Sequence, residues 1–226
     1  ADTRIRRTLT IDRYVRGSGI EIGAGAAPAI VPPGVRVTYV DKYDLATQQS
    51  DPELAHLSFR GPDVIDQAET LSSFQDGTQD FVLAFSVMEH VQDPLAALNA
   101  FLRVLRPGGV SVISVPDKRR YGPDKPRPLT TFEHLVRDYR EGPAVSVSDH
   151  FREFGSMWYD MKGDELERFV AQQVADGGHC HFHVWDAESF LSFLSRGREV
   201  LTTPYDVVEF LTHGVETLVV LRRGAS

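Results

Sequence analysis

Apolar positions along this chain follow two rhythms. Short apolar runs at 19–22, 36–40, 63–65, 81–85 and 110–115 read as buried strands. Phe81-Val82-Leu83-Ala84-Phe85 is apolar at every position, as suits a central parallel strand covered on both faces. Leu95, Leu98, Leu102 and Leu105 recur at three- and four-residue steps, which predicts an amphipathic helix over 93–105 with Pro94 in its first turn. Pro107-Gly108-Gly109 ends that helix. Shorter helices are predicted at 3–15, with Ile5, Leu9 and Val15 on one side, and at 187–195. Two strand-like runs at 206–211 and 216–221 are joined by Thr212-His213-Gly214-Val215, a hairpin.

Strands alternating with helices imply βαβ units, whose right-handed crossovers gather the carboxyl ends of the strands at one edge. The expected fold is α/β, a doubly wound and mostly parallel sheet with a C-terminal antiparallel hairpin. Over 117–186 the periodicity weakens, and five of the eight histidines fall there: His134, His150, His179, His181 and His183. A segment this long is not mere connection. It reads as an insert of two or three helices that covers the ligand edge, within one domain spanning 1–226.

Composition narrows the function classes. A chain of 226 residues with a formal net charge of −8 is disfavoured as a duplex binder, and no nucleic-acid partner is expected. Lys118-Arg119-Arg120 and Arg222-Arg223 read first as solvated surface. No apolar run approaches the roughly 18 residues of a membrane span. Residues 1–16 lack the apolar centre of a secretory signal. Cys180 is the only cysteine, so no internal disulfide can form, and a cytoplasmic location is the expectation.

The first strand runs into Gly23-Ala24-Gly25-Ala26-Ala27, a turn nearly free of side chains. Such a turn lets a ligand reach backbone amides and lets a following helix pack close to the strand. Asp41 stands at the tip of the second strand, 20 residues after Glu21, where a carboxylate can accept both hydroxyls of a ribose. Together these features point to an adenosine-containing cofactor. NAD competes, but its fingerprint wants Gly or Ala where this chain has Pro28. Glu21 would also repel a pyrophosphate, whereas it suits the cationic amino-acid moiety of S-adenosylmethionine.

At these residues the chain resembles a known family. Glu21-Ile22-Gly23-Ala24-Gly25 is similar to the first motif of class I S-adenosylmethionine-dependent methyltransferases, and Asp41 to the acid that binds the ribose. The stretch from Gln79 to Val91 resembles the family's fourth-strand motif, and Leu102 to Gly109 its helix-to-fifth-strand motif. The likeness covers about residues 18 to 117. It implies a seven-stranded sheet of order 3-2-1-4-5-7-6, with a cofactor site drawn from Glu21, Gly23, Ala24, Gly25, Asp41, Lys42, Asp66, Gln67, Ala68, Ser86 and Glu89. Ala27 replaces the usual third glycine. The family's adenine-contacting acid normally precedes an Ala-Glu pair. Here Gln67 precedes Ala68-Glu69 and Asp66 stands one position earlier, so either could serve. A narrower likeness lies in Val115 to Arg119, Arg127-Pro128-Leu129-Thr130 and Asp149-His150-Phe151. These resemble methyltransferases associated with surface-polysaccharide biosynthesis, which implies a sugar or glycan hydroxyl as acceptor; a small-molecule acceptor is the alternative.

A hydroxyl acceptor must lose its proton, which calls for a general base or a metal. His90, at the end of the fourth strand, is the first candidate base; otherwise it only shapes the pocket. Glu89-His90 matches half of a metal-binding Glu-x-x-Glu-His pattern seen in some related methyltransferases. Ser86 stands where the first glutamate would be, so a divalent metal is not favoured. His150, beside Asp149, is the second candidate base, or a surface residue after a helix cap. Asp117 could bind a substrate hydroxyl, and Arg119 with its basic neighbours a phosphate. His179, His181 and His183 alternate and would share one face of a strand. With Asp149 or Asp186 they could hold Zn²⁺, though a hydrogen-bonded polar face is favoured, with His181 or His183 serving a sugar beside Trp185. Phe151, Phe154, Trp158 and Tyr159 are expected to form the insert's own core. Other readings are a C- or N-methyltransferase on a small natural product, a catalytically silent S-adenosylmethionine-binding partner subunit, and an NAD-linked enzyme.

Overall fold

A computed structural model describes residues 2–50 and 56–225. Seven strands form one sheet: β1 (Ser18–Ile22), β2 (Arg36–Asp41), β3 (Val64–Ile65), β4 (Gln79–Phe85), β5 (Leu105–Pro116), β6 (Tyr205–His213) and β7 (Glu216–Arg223). Their order is β3-β2-β1-β4-β5-β7-β6. The first five run parallel, and β7 is antiparallel to both β5 and β6. The expected strand order and terminal hairpin are therefore present.

The strands' period-two pattern divides the core between two faces. On one face Phe81, Leu83, Val110, Val112, Leu218 and Val220 meet Ile11 of α1 (Asp2–Tyr14) and the following Val15. On the other, Val82, Ala84, Ile113, Val115, Val219 and Leu221 meet α3 (Pro94–Val104), α4 (Phe132–Glu141) and α7 (Ala187–Gly197); the single-turn α2 (Leu45–Gln49) buries no side chain. Phe81 and Leu83 are fully buried, so truncating either to Ala would cost about 2–5 kcal/mol. Asp93 caps α3 by accepting from the Ala96 amide at 2.9 Å. Leu105, expected to close that helix, instead turns extended and opens β5, which pairs first with Gln79.

The loop after the first strand departs from expectation. No helix follows the glycine turn: residues 23–35 are irregular, since Pro28, Pro32 and Pro33 withhold amide hydrogens and fix φ. Ala29, Val31 and Val35 of this loop pack with the α1 cluster in place of a helix. The segment after β5 carries α4, α5 (Val147–Trp158) and α6 (Gly163–Asp176). Here α4 lends Phe132 and Leu135 to the main core, while α5 and α6 enclose a second cluster of Phe151, Phe154, Val170, Cys180 and Phe182. Trp158 packs against that cluster, but Tyr159 is exposed. Residues 178–184 form no strand; the chain returns to the sheet at the Asp117–Trp185 bridge. Among the described residues no helix is long and apolar enough to cross a membrane.

Candidate active site

A cavity of about 670 Å³ opens at the carboxyl ends of β1, β2 and β4. Its floor is the glycine turn. Gly23 and Gly25 take φ of +65° and +52°, a region costly for any residue with a Cβ. A Cβ on Gly23 would also stand 3.0 Å from Val87 Cγ2. Ile22, Asp41, Lys42, Tyr43, Gln48, Phe59, Gln67, Ala68, Ser86, His90, Gln92 and His179 contribute to the walls. A smaller hollow of about 240 Å³ between Arg16, Asp80 and Gly108 lies at the other end of β4 and β5, away from these groups.

The polar groups of the cavity divide into those turned to the space and those spent on the protein. Asp41 accepts from the Tyr43 amide through Oδ1 at 3.0 Å, and Lys42 lies over the Tyr43 ring. The Gln48 Nε2 donates to the Tyr43 carbonyl, while its Oε1 is buried with no partner among the described residues. Ser86 lines the cavity with φ +55°, and Arg7 Nη2 reaches its hydroxyl at 3.4 Å. Glu21, by contrast, is buried and accepts from the Ala29 amide through both oxygens, at 2.9 and 3.1 Å. It braces the proline loop and does not line the cavity. Burial raises its carboxyl to about 7, against the Ala29 amide and the Arg7 charge. Ala24 likewise serves the turn, its carbonyl accepting from the Ala27 amide. The carboxylate of Asp66 accepts from the Gln67 and Ser73 amides and the Ser72 hydroxyl, and these bonds hold its carboxyl low against burial. Both candidates for the adenine contact, Asp66 and Gln67, line the cavity, Gln67 being the more exposed.

Glu89 is redirected. Its carboxyl is 1% exposed, outside the cavity wall, with neither oxygen partnered among the described residues, and burial raises it to about 8. It faces His90 and His181, one ligand atom of each lying within 4.8 Å of the others. His90 Nδ1 donates to the Cys180 carbonyl at 3.0 Å; because a carbonyl only accepts, this fixes the tautomer and leaves the lone pair on Nε2. Burial, with His181, His179 and Lys42 nearby, lowers His90 to about 3, so the ring is neutral. His181 Nδ1 bonds Asp124 at 2.8 Å, and its ring stacks with Tyr121 and meets His90 edge-on at 4.6 Å.

Other sequence candidates lie elsewhere. His150 does not line the cavity, and Asp149 does not orient it: that carboxylate is exposed and paired with Arg152. The His150 ring instead meets His134 and His183. Asp117 and Arg119 neutralise each other at 2.9 Å, and Arg119 also holds Glu188. Lys118 donates to the Arg127 carbonyl and Arg120 to the Gly214 carbonyl, so this cluster is spent on the fold. The three alternating histidines part company, with His179 at the cavity, His181 on Asp124 and His183 buried beside His150. Tyr43, Gln48, Phe59 and Gln92 were not legible as site residues, because they sit in irregular or single-turn segments without a spacing signal.

Against known proteins, residues 3–154 match the family described as "Methyltransferase domain". A protein of Mycolicibacterium smegmatis named "Probable S-adenosylmethionine-dependent methyltransferase" is 34% identical over 118 residues, 50% of this chain and 43% of the relative. The human thiol S-methyltransferase TMT1B is 36% identical over 91 residues, 39% of this chain and 37% of the relative. The matches thus span less than half the length of either curated relative. Among solved structures, the plantazolicin methyltransferase BamL, crystallised with a triazolic desmethylPZN analog and SAH, superposes with a TM-score of 0.51 at 11% identity, covering 99% of this chain and 84% of that one. At that identity the likeness is one of fold.

Proposed function

This chain belongs to the methyltransferase-domain family, and on that premise we propose that it uses S-adenosylmethionine to methylate a hydroxyl of a sugar, glycan or glycosylated metabolite. The cavity suits the cofactor on its own evidence: a glycine floor that a Cβ would obstruct, and an unpartnered Gln48 Oε1. Asp41 would take the ribose hydroxyls, Gln48 or Gln67 the adenine edge, and the Gly23–Gly25 backbone the amino-acid moiety. When bound, S-adenosylmethionine supplies an electrophilic methyl group on a sulfonium. The chain's own work is then to align an acceptor oxygen and take its proton.

His90 is the observation that carries the hydroxyl reading. His90 lines the cavity and its Nδ1 is committed to Cys180, so a neutral Nε2 lone pair is left to receive a proton. As the acceptor oxygen gains its methyl group its proton becomes strongly acidic, so an imidazole of lowered basicity is enough. Burial also keeps the ring from competing as a cation before transfer. Gln92 and His179 on the same wall favour a hydroxylated acceptor over an apolar one. The segment 117–186, within a single domain over 1–226, would cover that acceptor.

The test is an acceptor panel of sugars, glycosides and thiols with methyl-labelled S-adenosylmethionine, read by mass. Labelled methyl ethers on sugar hydroxyls, lost in His90→Ala, support the reading. Transfer to thiols alone, indifferent to His90, would replace it, since a thiolate has no proton to give up.

A further inference from the structure

Three histidine rings converge at the junction of α4, α5 and the segment that follows α6. His134 and Asp138 lie four residues apart on one face of α4, His150 lies in the first turns of α5, and His183 comes from the irregular return. The ring centroids are 4.9 Å apart for His134–His150 and for His150–His183, and 5.8 Å for His134–His183. His134 Nε2 is 3.0 Å from His150 Nε2 and 3.1 Å from Asp138 Oδ2; His150 Nε2 is 3.9 Å from that same oxygen.

Lone pairs outnumber protons at this point. The Gln92 carbonyl accepts from His183 Nε2 at 3.2 Å, so His183 Nδ1 carries a lone pair; it is fully buried with no partner among the described residues. His134 Nε2 and His150 Nε2 lie 3.0 Å apart, so one offers a lone pair to the other; with Arg137 Nη2 directed at His134 Nδ1 from 3.4 Å, His150 Nε2 is the lone-pair nitrogen. Asp138 is wholly buried; Ser146 donates to Oδ2 at 2.7 Å, and Oδ1 has no hydrogen bond among the described residues. Arg137 Nη2 faces His134 Nδ1 at 3.4 Å and its Nε lies 3.6 Å from Asp138 Oδ1, so among the described residues the His134 Nε2 proton, the Ser146 hydroxyl and the Arg137 Nε proton face two nitrogens and two oxygens. For an ion to bind, the His134 proton moves to Nδ1 and the Arg137 contact opens, which frees Nε2 as a ligand.

We propose that His134, His150, His183 and Asp138 form a binding site for a tetrahedral divalent transition-metal ion of the zinc type. Three imidazoles and one carboxylate are the donor set such ions take, with bonds of about 2.0–2.2 Å. The three separations among His134 Nε2, His150 Nε2 and Asp138 Oδ2, 3.0 to 3.9 Å, are close to those a tetrahedron of that size requires, and the ligand atoms of the three histidines lie within 4.8 Å of one another, so His183 draws in when the ion binds. The backbone carbonyl of Gln92 holds the outer ring nitrogen of His183, the kind of outer-shell contact that orients metal-ligating histidines. Four protein ligands make the site closed, so its role is structural: it ties α4, which belongs to the main core, to α5 and the return segment of the second cluster. The site stands apart from the methyl-transfer cavity and does not depend on the assignment made there.

The test uses the whole chain stripped by chelator dialysis, titrated with Zn²⁺ alone by calorimetry and with Co²⁺ alone by visible absorption. One equivalent of each ion is expected, with the intense visible bands of tetrahedral Co²⁺ and a Tm raised by saturating Zn²⁺. His134→Ala removes the most exposed ligand and is the variant best able to fold, as circular dichroism would verify. Its affinity should fall by more than the roughly ten- to hundredfold that loss of an outer-shell partner costs. Asp138→Asn should weaken binding in the same direction. Absence of stoichiometric binding of either ion, or binding unchanged in a folded His134→Ala protein, would overturn the proposal. So would loss of the equivalent in His90→Ala, which would place the ion at the Glu89–His90–His181 group.

Discussion

His90 Nδ1 lies 3.0 Å from the carbonyl oxygen of Cys180, 90 residues further along the chain. One hydrogen bond thus joins the end of the fourth strand to the return from the insert, and sets which nitrogen of the ring carries the lone pair. Removing that ring should affect turnover rather than cofactor binding. His90→Ala is expected to lower kcat by about 10²- to 10⁴-fold with S-adenosylhomocysteine affinity kept within a few-fold. Because burial holds His90 at about 3, the wild-type rate should show no loss centred on pH 6.5 from this residue. Rate measurements from pH 5.5 to 8.5 on both proteins check this; a wild-type decline near 6.5 that His90→Ala lacks would contradict it.

Asp41 tests the cofactor site. Among the described residues only one of its oxygens is engaged, through the Tyr43 amide, which leaves the other for a ribose hydroxyl. Loss of hydrogen bonds to a charged acceptor costs about 1.5–3 kcal/mol, which corresponds to a ten- to hundredfold weaker S-adenosylhomocysteine complex in Asp41→Ala. Calorimetry reads this directly, and wild-type affinity in the variant would mean that the ribose lies elsewhere.

Glu21 makes stability depend on pH. Its folded carboxyl sits at about 7 against an ordinary 4.5, so between these values the folded state holds a proton that the unfolded chain has released. The favourable contribution is complete below about 4.5 and is lost as pH rises through 7, on the order of 3 kcal/mol at most. Glu21→Gln keeps an acceptor for Ala29 but cannot ionise. Urea unfolding should show this variant gaining stability relative to wild type from pH 5 to pH 8. A difference independent of pH would be inconsistent with a buried, raised carboxyl.

Arg7 and Glu216 lock the first helix to the hairpin. Arg7 Nη2 meets Glu216 Oε2 at 2.5 Å, with Nε 3.1 Å from both carboxylate oxygens, and the guanidinium lies over Phe85. Glu216 is only 6% exposed, so Arg7→Ala strands a buried charge and should destabilise the fold by about 3 kcal/mol. Adding Glu216→Gln should recover much of that loss in chemical denaturation, a coupling that independent sites would not show.

Much of this architecture was legible in the chain because the signals were local. The all-apolar Phe81–Phe85, the stripe through Leu95, Leu98 and Leu102, and the hairpin around Gly214 each specify an element through its own periodicity. The motifs also located the cavity floor at Gly23 and Gly25, and Asp41 at its rim. Side-chain direction was not legible. Glu21 and Glu89 occupy motif positions, yet one braces a proline loop and the other is buried beneath His90, because loop conformation and the insert decide where each carboxyl turns. The convergence of His134, His150 and His183 was equally hidden. Their spacing on the chain follows no metal-binding pattern, and only the packing of α4 against α5 and the return segment brings them together. Asp138 drew no notice, since an acid in an exposed-looking helical sequence seldom faces inward.

The most direct test of the account is calorimetric titration of the wild-type chain with S-adenosylhomocysteine, with NAD⁺ titrated in parallel. Binding of one equivalent in the micromolar range by the former, and none by the latter, is the predicted result. Binding of NAD⁺, or no heat from S-adenosylhomocysteine up to millimolar concentration, would contradict the assignment of the glycine floor and Asp41 to a methyl donor.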